Sequence, residues 1–103
     1  MYEKTIQRDV VAYLETQGWY VIKLIQTTKN GIPDLLCLKN GITMFIEVKR
    51  PNGVLSDLQK YRLHQLSDMN FHCFVISNLN QLTHAITDIS TKLPEKWPFD
   101  YFD

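Results

Sequence analysis

No stretch of this 103-residue chain is apolar for anything near the ~20 residues that a membrane-spanning helix requires, so no membrane segment is expected. The opening residues, Met1-Tyr2-Glu3-Lys4-Thr5, lack the apolar centre of a secretory signal, and a cytoplasmic protein is the expectation. Cysteine is scarce. Cys37 and Cys73 each sit in an apolar run with no CxxC or HxxxH spacing nearby, which predicts reduced, buried thiols and no zinc site. His64, His72 and His84 are scattered, without an HxxxH or His-Asn-His pattern, so packing or surface roles are expected of them. Internal repeats, low-complexity tracts and interdomain linkers are lacking too, and one domain is expected over residues 1–103. Net charge is zero, which argues against a partner held by phosphate contacts alone. Its distribution is uneven, however. Residues 1–66 carry nine Lys/Arg against six Asp/Glu, whereas residues 67–103 carry two against five. If some of the first six acids bind metal, one side of the molecule is more basic than the total implies.

What is present reads as an ordinary globular chain, 45% hydrophobic and 21% charged. Ile6, Val10, Ala12, Tyr13 and Leu14 recur at helical spacing from about Glu3 to Gln17, and Gly18 supplies a stop. Trp19 to Ile25 is aromatic and β-branched, a strand pattern, and Gln26 to Pro33 is a polar loop. Two strand-like runs follow, Asp34 to Lys39 and Ile42 to Lys49. Ser56 is positioned to cap a helix reaching about Met69, with Leu58, Tyr61, Leu66 and Met69 expected inward. His72 to Ser77 is a further strand, and Leu79 to Thr91 a helix with Leu82, Ile86 and Ile89 at core spacing. The core thus ends near residue 92. The tail, residues 93–103, carries Trp97, Phe99, Tyr101 and Phe102, which suit either docking on the domain or a contact between subunits. The order α-β-β-β-α-β-α implies an α/β fold with a central mixed sheet.

Asn40-Gly41 between the two runs is a favoured pair for a type I′ hairpin, because both residues tolerate positive φ. A two-residue turn fixes the register: Lys39 faces Ile42, Leu36 faces Phe45, and Asp34 faces Glu47. Opposed side chains share a face with Cβ atoms roughly 5 Å apart. Strand alternation returns Lys49 to that same face. Two carboxylates so placed repel unless a cation lies between them or one is protonated. Their hard anionic oxygens suit Mg²⁺ or Mn²⁺, which can bind a phosphodiester and assist its hydrolysis. A neighbouring lysine can orient an attacking water and offset charge growing on phosphorus.

Pro33-Asp34 followed by Glu47-Val48-Lys49 matches the PD-(D/E)xK nuclease signature. The residues around it resemble one branch, the virus-type replication-repair nuclease (VRR-NUC) domain: Glu3 followed by Ile6-Gln7, Gly31 to Asp34, Glu47 to Lys49, and Ser56-Asp57-Leu58-Gln59. The resemblance runs over about the first seventy residues. It implies a restriction-endonuclease-like core and a divalent-metal-dependent DNA endonuclease in a bacterial or phage-infected cell. Asp34 and Glu47 would be metal ligands, Lys49 the catalytic lysine, Glu3 an outer or second-metal ligand, and Gln59 a supporting residue. Members made of this domain alone are similar to Holliday-junction resolvases acting as homodimers in DNA repair, so branched DNA is the implied partner. Flap, nicking or restriction-like cleavage on the same core remains an alternative, as does an inactive DNA-binding module. Lys29, Arg50, Lys60 and Arg62 flank these motifs and are candidate phosphate contacts.

Overall fold

Ile6, Val10 and Leu14, each about one turn from the next, form the buried stripe of the first helix, α1 (Tyr2–Thr16). The structure is a computed structural model and describes residues 2–91; the aromatic tail, residues 93–103, lies outside the described residues. α1 ends in a Schellman motif. Trp19 N–H donates to Leu14 O at 3.0 Å and Gly18 N–H to Glu15 O at 3.1 Å, with Gly18 at φ +89°. Trp19 thereby folds back into the same apolar cluster as Leu14, and the chain turns directly into β1 (Tyr20–Lys23). Ala12, expected inward, is exposed, because it falls outside this stripe.

β2 (Leu35–Lys39) and β3 (Ile42–Val48) form the expected hairpin, with Asn40 at φ +49° and Gly41 at φ +80°. Lys39 pairs with Ile42, Leu36 with Phe45, and Leu35 with Ile46. α2 (Asp57–Asp68) crosses over to β4 (His72–Ile76), which lies parallel to β3. α3 (Leu79–Thr91) completes the order α-β-β-β-α-β-α. The four strands make one mixed sheet in the order β1-β2-β3-β4. No helix among the described residues is long and apolar enough to cross a membrane.

Alternation sorts the side chains onto two faces. Leu35, Cys37, Met44, Ile46, Val48, Phe74 and Ile76 point to one, where they pack with Ile6, Val10 and Leu14 of α1 and Leu82, Ala85 and Ile89 of α3. Phe45, Cys73 and Val75 point to the other, against Leu63 and Leu66 of α2. Both thiols are free and buried, one in each layer, and burial pushes each up to about 12. His72 is buried, whereas His84 is exposed.

The inward face of α2 differs from the sequence expectation. Leu58, Tyr61 and Met69 are exposed, at 40%, 57% and 56%, and Leu63 and Ser67 are the buried residues. The reason is placement. α2 rests on β4 at the margin of the sheet, so only a narrow stripe of the helix is covered. Asn70 at φ +70° ends the helix, with Phe71 N–H reaching back to Leu66 O at 3.3 Å. Leu63→Ala is therefore expected to cost about 2–5 kcal/mol in urea unfolding, while Met69→Ala changes stability by less than about 0.5 kcal/mol.

Candidate active site

The hairpin register, continued past Leu35–Ile46, sets Asp34 across from Glu47 and Pro33 across from Val48. The paired ladder between β2 and β3 ends at Leu35–Ile46, and Pro33, opposite Val48, has no N–H to offer the Val48 carbonyl. Val48 N–H instead donates to Asp34 Oδ2 at 2.9 Å, which turns a backbone donor into an anchor for the carboxylate. Asp34 also keeps its strand contact on the other side, where its carbonyl accepts from Leu24 N–H at 2.8 Å. The aspartate is thus held from both neighbouring segments at the point where the sheet opens.

Glu47 is 3% exposed, an unusual position for a carboxylate. Gln59 Nε2 donates to its Oε2 at 3.0 Å, and Lys49 Nζ lies 3.8 Å from the same oxygen. The Asp34 main-chain N–H also favours the charged form of the Glu47 carboxylate. These partners do not offset the loss of water. Burial first, then the negative charge of Asp34, pushes the Glu47 carboxyl up to about 7 against the pull of Lys49. Asp34 is raised as well, chiefly by burial, with the Val48 hydrogen bond and Lys49 opposing the rise. Glu3 adds to both shifts from the first turn of α1, and its Oε2 accepts from Arg50 N–H at 3.4 Å. Glu3, Asp34, Glu47, Lys49 and Gln59 therefore converge on one end of the sheet, although they come from four separate segments.

Helix α2 braces this end in three ways. Ser56 and Gln59 form a capping box: Gln59 N–H donates to Ser56 Oγ at 3.1 Å, and Ser56 N–H to Gln59 Oε1 at 2.8 Å. Leu58 lies against Gly31, where an added Cβ would stand 2.7 Å from Leu58 Cγ at a φ of +78°. Arg62 Nε donates to Asn30 O at 2.9 Å, and its NH1 reaches Gln65 Oε1 at 3.2 Å. The loop that delivers Asp34 is therefore clamped to the helix that holds Glu47. Sequence reading missed the Arg62 strut and the Leu58–Gly31 contact. The signal available for the contact was the glycine itself, two residues before a proline in a polar loop. Of the candidate phosphate contacts, Lys29 and Arg50 are exposed and Lys60 is half-buried, while Arg62 has two donors committed to the fold.

Among the described residues, no group of three His, Cys, Asp or Glu side chains is gathered tightly enough to hold a metal by itself. The facing carboxylates of Asp34 and Glu47 still fit a hard divalent cation. Mg²⁺ is commonly held by one or two carboxylates, with water and substrate phosphate completing its shell. A carboxyl pushed up to about 7, by burial first and then by a second acid, is also the electrostatic signature of a site short of positive charge. Without metal, this shortfall makes stability fall with pH. The unfolded chain loses the Glu47 proton near 4.5 and the folded protein near 7, so the folded state is favoured below this window and penalised through it. Urea unfolding in a chelator is expected to show stability falling between about pH 4.5 and 7, by up to about 1.4 kcal/mol per pH unit from this group. Glu47→Gln is expected to flatten that slope.

Comparison with known proteins bears on this geometry. The family model for the VRR-NUC domain matches residues 4–78. No curated protein sequence matches the chain. A solved chain described as a VRR_NUC domain superposes with a TM-score of 0.76 at 27% identity, covering 84% of this chain and 96% of that one. Another, described as a VRR_NUC domain protein, gives a TM-score of 0.71 at 20% identity and covers 92% of each; at that identity it speaks for the fold alone. With the family model spanning most of its length, the chain belongs to the VRR-NUC domain family and has its nuclease-type fold.

Proposed function

We propose that this protein is a divalent-metal-dependent DNA endonuclease, with residues 1–103 acting as one nuclease domain. The observation that carries the reading is Glu47: an almost fully buried carboxylate, opposite Asp34 and pushed up to about 7, with the Lys49 ammonium 3.8 Å away. Asp34 and Glu47 would hold Mg²⁺ or Mn²⁺, and Glu3 would act from outside that pair. The cation supplies Lewis acidity at the scissile phosphate.

The remaining work falls to the chain's own groups. Lys49 Nζ lies 3.8 Å from Glu47 Oε2, and its side chain is 15% exposed, so it is placed beside the carboxylates without being sealed from solvent. There it orients the attacking water and offsets charge developing on the phosphate oxygens. Gln59 fixes one Glu47 oxygen and so keeps the carboxylate from turning toward Lys49 alone. Lys29, Arg50 and Lys60 contact the DNA backbone on either side, whereas Arg62 serves first to hold the loop.

The substrate proposed is branched DNA, with a homodimer nicking the symmetric strands of a four-way junction. A domain this small offers little surface for such a substrate, and paired cuts suit a two-fold assembly. Flap, nicking or restriction-like cleavage is the second reading of the same core. An inactive DNA-binding module is disfavoured, because such a protein would lack a ligand or the lysine, and here all of them are present and converge.

The purified protein is expected to cut labelled four-way junctions only with Mg²⁺ or Mn²⁺. Asp34→Ala, Glu47→Ala and Lys49→Ala should each lower the rate by roughly 100-fold or more while retaining fold and DNA binding. Full activity in Glu47→Ala would overturn the site, and equal cutting of linear duplex would overturn the junction preference.

A further inference from the structure

Gln59 makes two side-chain hydrogen bonds of opposite polarity. Its Oε1 accepts from Ser56 N–H at 2.8 Å, and its Nε2 donates to Glu47 Oε2 at 3.0 Å. A primary amide can present either atom to a carboxylate, and only the Nε2 face is favourable. Reversed, the amide would set its oxygen against a buried anion and its nitrogen against a main-chain N–H. The Ser56 N–H can only donate, so it admits one orientation and excludes the other.

We propose that Ser56 is a positioning residue of the candidate active site, and that its main-chain N–H, rather than its hydroxyl, locks the Gln59 amide as a donor to Glu47. The two halves of the capping box then have different purposes. The hydroxyl accepts from Gln59 N–H and stabilises the start of α2. The N–H aims the amide at Glu47 and keeps Oε2 of that carboxylate fixed, so that the carboxylate would meet a cation in one orientation. This explains why the residue at the third position of α2 is Gln. A Glu would complete the same box but would place a second anion against Glu47. The inference rests on the reading that Asp34 and Glu47 bind a divalent cation.

The lock can be tested by separating the two bonds. Ser56 has φ −70°, the angle that proline adopts, so Ser56→Pro removes the N–H, and the hydroxyl with it, at an unchanged φ. Ser56→Ala removes the hydroxyl and leaves the N–H. Mn²⁺ affinity of the full chain, read by electron paramagnetic resonance without DNA, should be within about twofold of wild type in Ser56→Ala and about tenfold weaker in Ser56→Pro. Both variants should show a lowered unfolding midpoint from loss of the cap. Gln59→Met, which can neither accept from Ser56 nor donate to Glu47, should match Ser56→Pro. Adding Ser56→Pro to Gln59→Met should weaken binding no further, because the proline acts through the amide. In metal-free wild type, hydrogen exchange of the Ser56 amide should be slowed and should accelerate in Gln59→Met.

Equal Mn²⁺ affinity in Ser56→Pro and Ser56→Ala overturns the proposal, and so does an additive double variant. Fast exchange of the Ser56 amide in wild type overturns it even if Ser56→Pro fails to fold. A wild type that takes up no Mn²⁺ while its Ser56 amide stays protected overturns the cation reading instead.

Discussion

The structure is organised around one unfavourable act, the burial of the Glu47 carboxylate beside that of Asp34. Removing an anion from water is costly, and a second anion nearby raises the cost. The partners provided, one lysine at 3.8 Å, one side-chain amide and one main-chain N–H, leave Glu47 raised to about 7. A sheet built only for stability would place an apolar residue here, next to Phe45 and Val75 on the same face. The chain keeps an arrangement short of positive charge, a shortfall that the proposed divalent cation would remove.

Much of the surrounding structure holds that arrangement in place. The Asn40-Gly41 turn sets the register that opposes the two acids. The paired ladder ends at Leu35–Ile46, and beyond it the Asp34 side chain accepts from the Val48 N–H. α2 bridges the two sides, through Gln59 to Glu47 and through Leu58 and Arg62 to the loop before Asp34. α2 otherwise buries little, with Leu63 and Ser67 as its buried residues. Its packing against β4 and its hydrogen bonds at the N-terminal end belong to one function, which is to keep the opening of the sheet in a single geometry.

How much of this was legible in the sequence depended on range. The hairpin is a local object. Two residues that tolerate positive φ dictated the pairing, and the facing of Asp34 and Glu47 followed from counting. The caps were legible for the same reason, since Gly18 and Ser56 act within one turn of their own helices. α2's inward face was misread because Leu58, Tyr61 and Met69 are apolar, and apolarity alone does not say where a helix lies on a sheet. Arg62 looked like a phosphate contact. Its bond to the carbonyl of Asn30, thirty-two residues away, is a product of the tertiary fold with no trace in local spacing. Glu3 was named through the resemblance alone, and it comes into range of both acids through the packing of α1 against β3.

The central claim is that Asp34 and Glu47 together form a cation site. Anomalous diffraction from crystals soaked in Mn²⁺ tests it most directly. A peak is expected within bonding distance of one oxygen from each carboxylate, absent in Asp34→Asn. Ordered side chains with no peak between them, or a peak bound to other residues, would contradict it.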